Sequence, residues 1–137
     1  MKLKLSIAIA IGLFGLLVGC ADDADMSGSI SRGKKVYEQY CLSCHMIDGS
    51  GVPRMNPALA GSKLLTGDNI KPIRIVLRGS QELKDMPDRD YKNVMASLDI
   101  LTDAQIADVL TYARNTFGNK ASMITEREVK EIRATIK

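Results

Sequence analysis

The sequence predicts an all-α protein, on three observations. Apolar residues recur at three- and four-residue spacing along its longer segments, no segment alternates apolar with polar residues as a half-buried strand does, and two capping boxes mark helix starts. With 137 residues the chain has room for one small domain and little more.

The first segment stands apart from the fold. Lys2 and Lys4 precede an apolar run from Leu5 to Val18, a charged region followed by a hydrophobic one of secretory type. The run falls short of the about 20 residues that a membrane-spanning helix needs. It stops at Leu17, Val18, Gly19 and Cys20, which resemble a bacterial lipobox. That resemblance implies a signal peptide over 1–19, cleavage before Cys20 and a lipid on the Cys20 thiol, two or three acyl chains being enough for a stable anchor. A simple signal peptide or an uncleaved anchor, with Cys20 incidental, is the alternative. Residues 20–29 are small, polar and acidic and read as a flexible tether. The folded domain is then 30–119, and 120–137 is a C-terminal helical extension.

Within the domain, Ser31 caps a helix carrying Val36, Tyr37 and Tyr40 that runs into Cys41 and Cys44. The stretch from Asp48 to Gly61 holds three Gly and two Pro and reads as a loop. Asp68 or Asn69 caps a second helix, with Pro72 in its first turn, apolar positions at Ile70, Ile73, Val76 and Leu77, and an end at Gly79. Tyr91 to Leu98 makes a further short helix. The clearest helix starts at the Thr102/Gln105 capping box, presents Ile106, Val109, Leu110, Ala113 and Phe117 on one stripe and stops at Gly118. Thr125 and Glu128 repeat the box ahead of Val129, Ile132 and Ile136.

Composition narrows the function. Nineteen basic against sixteen acidic residues, without Lys/Arg runs, exclude a nucleic-acid binder built on a basic stripe. Residues 28–84 hold nine basic and four acidic side chains, and 85–108 hold two and six, so an acidic partner docking on the first part is expected to associate more slowly as salt rises. A single His, His45, rules out sites that need a His pair. Six aromatics and no Trp are few for a core of this size, so another group is expected to fill its centre.

That group is indicated by Cys41, Leu42, Ser43, Cys44 and His45. Cys-x-x-Cys-His is the attachment signature of c-type haem: two thiols one helical turn apart add to the vinyl groups, and the adjacent imidazole reaches the iron. A thioredoxin-like dithiol competes, but that fold needs a sheet. A zinc site competes too, but it wants a fourth ligand.

The chain resembles a small bacterial class I c-type cytochrome. Besides the haem motif, the resemblance rests on Gly33, Lys34, Lys35, Val36 and Tyr37 in the first helix, on the loop Asn56, Pro57, Ala58, Leu59, Ala60, Gly61, and on the closing helix from Leu101 to Asn119. It implies a cytochrome c fold of three to five helices around one covalently bound haem c, with the first and closing helices crossing near Gly33 and Val109/Tyr112. It implies further that Cys41 and Cys44 carry the haem, that His45 ligates the iron and that the Pro57 carbonyl receives the His ring N–H.

With no second His, the candidates for the second axial position are the seven methionines, water or an open site. Met95, shortly before the closing helix, matches the family's usual place, and Met86, followed by Pro87, is the alternative. Tyr91 and Arg78 or Arg74 are candidates to meet the haem propionates, and Leu59, Ile73, Val76 and Leu77 to pack on the macrocycle. The implied function is one-electron transfer on a His/Met haem on the periplasmic or cell-surface side of the membrane. Oxidases, reductases or dehydrogenases are its partners, and the protein is not itself an enzyme. A haem subunit of a larger oxidoreductase, or a haem enzyme or sensor with a displaceable Met, are the alternatives.

Overall fold

The computed structural model describes residues 25–84 and 91–136. The leader over 1–19, Cys20 and Met86 lie outside the described residues. Six α-helices occur among the described residues and no strand does; a single bridge pairs Val52 with Asn56. Four are longer than one turn: α1 (residues 25–40), α4 (Ile70–Arg78), α5 (Asp103–Arg114) and α6 (Glu126–Thr135). Two, α2 (Leu42–His45) and α3 (Lys63–Thr66), are single turns, and a 3-10 turn over Gly79–Leu83 follows α4.

Helix α1 crosses α5 in contact with its backbone, because Gly33 has no side chain to hold them apart. A Cβ at Gly33 would collide with the Asp108 carbonyl and come within 2.8 Å of Tyr112 Cβ. Beside the crossing, Arg32 forms a two-pronged ion pair with Asp108 (2.7 and 2.8 Å), and Ser29 Oγ donates to Asp108 Oδ1 at 2.7 Å. These bonds explain why residues 25–29, assigned to the tether by composition, are helical here: Ser29 is buried on the same face as Gly33, Val36 and Tyr37. Ser31 is accordingly inside the helix and not at its start.

The closing helix obeys its capping box, with Thr102 Oγ1 accepting from the Gln105 N–H at 3.2 Å and Gln105 Oε1 from the Thr102 N–H at 3.0 Å. It ends at Arg114, short of Gly118. Asn115 and Thr116 turn their side chains back onto the Thr111 and Tyr112 carbonyls and so compete with further helix. Phe117, at φ +58°, then folds its ring against Tyr37 and Tyr112, with centroids 5.3 and 5.7 Å away. Helix α4 starts where predicted. Asp68 is its working cap, accepting from the Ile70 and Lys71 N–H groups at 2.9 and 3.0 Å, whereas Asn69 makes no side-chain cap bond and reaches Glu128 instead.

The short helix expected over Tyr91–Leu98 does not form. Its backbone donors are taken by other segments: Lys92 by Arg54 O, Asn93 by Met55 O, Met95 by Ser80 Oγ and Leu98 by Val76 O. Long-range bonds have outcompeted local propensity.

At the Gly33 crossing, Gly33→Ala is expected to destabilise the holoprotein by about 1–3 kcal/mol through overpacking. Denaturant unfolding measures this as a lower midpoint with an unchanged slope.

Candidate functional site

Helix α1 delivers Cys41, and the single turn α2 brings Cys44 and His45 round after it. These three residues line one side of a cavity of about 400 Å³. Its other walls are mostly apolar: Leu59, Leu64, Leu65, Pro72, Ile75 and Val76 on one flank, and Leu98, Val109, Leu110 and Ala113 on another, with Tyr91 and Met95 completing it. The cavity therefore joins residues spread over most of the domain.

His45 is tightly specified. Its Nδ1 lies 3.0 Å from Pro57 O, and a carbonyl only accepts, so the proton sits on Nδ1 and Nε2 is the nitrogen available for ligation. Burial pushes its pKa below the ordinary histidine value, against the opposing Pro57 bond, which keeps the ring neutral. The Pro57 loop is tied to the motif by Gly51 N–H to His45 O (3.2 Å) and by Leu59 and Ala60 N–H to Gly49 O (2.8 and 3.0 Å). Just past His45, Met46 adopts φ +64°, and its carbonyl accepts the Tyr37 hydroxyl at 2.6 Å. Burial raises the Tyr37 pKa, so the phenol stays protonated as a donor.

Both thiols are free. Burial, with the neighbouring Cys44 charge, pushes Cys41 up to about 11, the opposite of the depressed value that a dithiol redox centre uses. No cluster of three or more His, Cys, Asp or Glu suited to a metal ion alone occurs among the described residues.

Some predicted side chains fall elsewhere. Arg78, a candidate for a propionate, does not line the cavity, nor does Arg74. Both turn to Glu82, Arg74 Nε at 2.5 Å and Arg78 Nη1 at 3.3 Å. Ile73 and Leu77 pack into the helical core, while Pro72, Ile75 and Val76 supply α4's cavity wall. Leu64 and Leu65 escaped the sequence reading because one turn of helix carries too few residues to show a period. Pairing of Arg32 with Asp108, which lies outside 28–84, also consumes part of the basic excess counted over that segment.

The family model for cytochrome c matches residues 30–117. The chain belongs to the cytochrome c family. Cytochrome c-552 of Thermus thermophilus is 32% identical over 111 residues, covering 74% of this chain and 84% of the relative. The cytochrome c subunit of the quinone-dependent alcohol dehydrogenase of Gluconobacter oxydans is 30% identical over 110 residues, which is 79% of this chain and 23% of that subunit. The cytochrome subunit of fructose dehydrogenase from Gluconobacter japonicus is 32% identical over 111 residues, 22% of its length. This chain thus spans most of the small cytochrome and under a quarter of the dehydrogenase subunits.

Membership makes covalently bound haem c the cofactor of this cytochrome and electron transfer its chemistry. The residues present fit that group: one apolar cavity offers two free thiols, a neutral imidazole and a thioether. Among the described residues no helix is long and apolar enough to cross a membrane.

Glu82 generates a prediction. The Arg74 hydrogen bond holds its carboxyl below the ordinary value of 4.5, against the opposing effect of burial, so the folded state binds its proton less well than the unfolded one. Its contribution to stability is present above about pH 4.5 and is lost as pH falls through the lower folded value. Glu82→Gln is expected to flatten the acid limb of a stability-against-pH profile and to leave the alkaline limb unchanged.

Proposed function

We propose that this cytochrome carries single electrons between membrane-associated redox enzymes on a haem held by Cys41 and Cys44 and ligated by His45 and Met95. The single observation that carries the reading is the joining of all four side chains in one apolar cavity, although Met95 lies fifty residues beyond His45 in the chain. The haem supplies an iron that takes up and releases one electron. The chain supplies the rest. Pro57 holds the His45 ring by its Nδ1 proton, the apolar walls exclude water, and a thioether ligand from Met95 would favour the reduced form. Tyr91, half-exposed at the cavity wall, is the candidate to meet a propionate.

The relatives support two partner arrangements that share this chemistry. Coverage of most of cytochrome c-552 favours a free carrier, and a dehydrogenase-bound haem subunit is the second reading, favoured by the named dehydrogenase subunits. The leader and Cys20 support placement on the periplasmic side or cell surface with a lipid anchor.

Two measurements test this. Met95→Ala is expected to abolish the thioether-to-ferric-iron absorption band and to open the iron to rapid carbon monoxide binding in the ferrous state. A retained band assigns the ligand elsewhere, Met86 first. Cys20→Ser is expected to move the protein from the membrane to the soluble fraction with its haem spectrum intact.

A further inference from the structure

The backbone at Met95 is gripped by one residue of the turn after α4. The Met95 N–H donates to Ser80 Oγ at 2.7 Å, and the Ser80 N–H donates back to Met95 O at 2.9 Å. Two opposed bonds between the same pair of residues fix the peptide units on either side of the Met95 Cα in both position and rotation. One of the two needs a hydroxyl, because the acceptor is a side chain.

The neighbouring contacts serve the same placement. Gly79 stands at φ +59°, and a Cβ there would lie 2.7 Å from Ala96 C and 2.8 Å from Ser97 N, so the turn reaches the Met95 segment only with glycine. Two residues on, Ser97 Oγ donates to Leu77 O at 2.6 Å, and Leu98 N–H donates to Val76 O at 2.9 Å. Both acceptors are carbonyls of the last turn of α4, which have no partner inside the helix. Helix α4 therefore spends its free C-terminal acceptors on the Met95 segment, and Ser80 makes the contact at Met95 itself.

We propose that Ser80 is a positioning residue for Met95, its hydroxyl setting how readily the thioether gives way to an external ligand on the iron. The inference rests on Met95 being that ligand. The exchange it governs is a plain substitution: an incoming nitrogen lone pair forms the new bond as the sulfur leaves with its own, with no change of oxidation state.

The experiment is a titration of the ferric holoprotein with imidazole, followed at the thioether-to-iron band, in the parent, Ser80→Ala, Ser80→Thr and Met95→Ala. Ser80→Ala is expected to bind imidazole about three- to tenfold more tightly than the parent, because in the parent displacing the thioether would have to strain or break the Met95 N–H bond to the Ser80 hydroxyl. Ser80→Thr, which keeps the hydroxyl, is expected to stay within about twofold of the parent. Parent-like affinity in Ser80→Ala, even with a lowered unfolding midpoint, overturns the proposal by making the residue merely structural. A Thr variant that behaves like the Ala variant overturns it as well.

Met95→Ala separates the two levels. If that variant loses the band and Ser80→Ala has no effect, Met95 remains the ligand and only the Ser80 proposal falls; if it keeps the band, both fall. Should Ser80→Ala give no folded holoprotein, amide exchange in the unaltered protein decides. Protection of the Met95 N–H comparable to that of the α4 interior supports the clasp, and exchange at the rate of an unstructured peptide overturns it.

Discussion

The direct contact of α1 with α5 at Gly33 is the constraint on which the rest of this structure depends. Helix α1 ends at the haem motif, and α5 provides Val109, Leu110 and Ala113 to the cavity wall. Their separation at the crossing therefore sets the distance between the motif and the wall. Glycine makes that separation as small as two backbones allow. Asp108 locks it, since one carboxylate takes both Arg32 nitrogens and the Ser29 hydroxyl from the other helix. The ring cluster of Tyr37, Tyr112 and Phe117 fills the angle beside it.

From that crossing the His45 and Met95 sides of the cavity are built by different means. On the His45 side the device is local: a five-residue motif at a helix end, a glycine-rich loop folded back on it, and a carbonyl at Pro57 that selects one tautomer. On the Met95 side the described residues 91–98 form no regular structure. An extended segment is placed by bonds to Arg54, Met55, Val76, Leu77 and Ser80, which come from the loop, from α4 and from the 3-10 turn after it. The Arg54 and Met55 carbonyls belong to the loop that also contains Pro57, so one piece of backbone joins the His45 and Met95 sides of the cavity. This arrangement suits a carrier, because a cavity held by fixed backbone asks for little movement of the protein when the redox state changes.

How much of this was legible in the sequence follows from the range of the forces involved. Capping boxes and the haem motif are encoded within a few residues of where they act, and the structure has the boxes at Thr102 and Thr125 where the sequence indicates; the close approach of Gly33 to Asp108 and the bond of Pro57 to His45 join distant residues and stand where the family resemblance implies them. The misplaced elements are those decided by distant partners. The Tyr91–Leu98 segment has a helical pattern but spends its backbone on other segments, and residues 25–29 look like linker until Asp108, more than seventy residues away, is brought to Ser29. Arg78 is the exception, decided nearby: it has the right charge for a propionate, and Glu82, four residues on, takes it first.

The extension beyond residue 117, outside the matched family region, follows the same logic of distant partners. Arg114 is almost wholly buried, and burial depresses its pKa, yet its guanidinium stays charged because carbonyls of Leu65, Gly67 and Ser122 surround it. Two of those carbonyls come from the α3 region and one from the linker into α6, so a single side chain of α5 fastens both. Glu128 of α6 accepts from Asn69 at the start of α4. At the far end, Arg133 Nη1 and Nη2 donate to Asp99 O and Leu101 O (2.9 and 2.7 Å), and its Nε pairs with Asp103. Helix α6 thus bridges the start of α4 to the corner between Met95 and α5. A segment with no side chain lining the cavity nevertheless braces the chain at both ends of the cavity's Met wall, which gives the extension a structural reason to be ordered although it lies outside the shared domain.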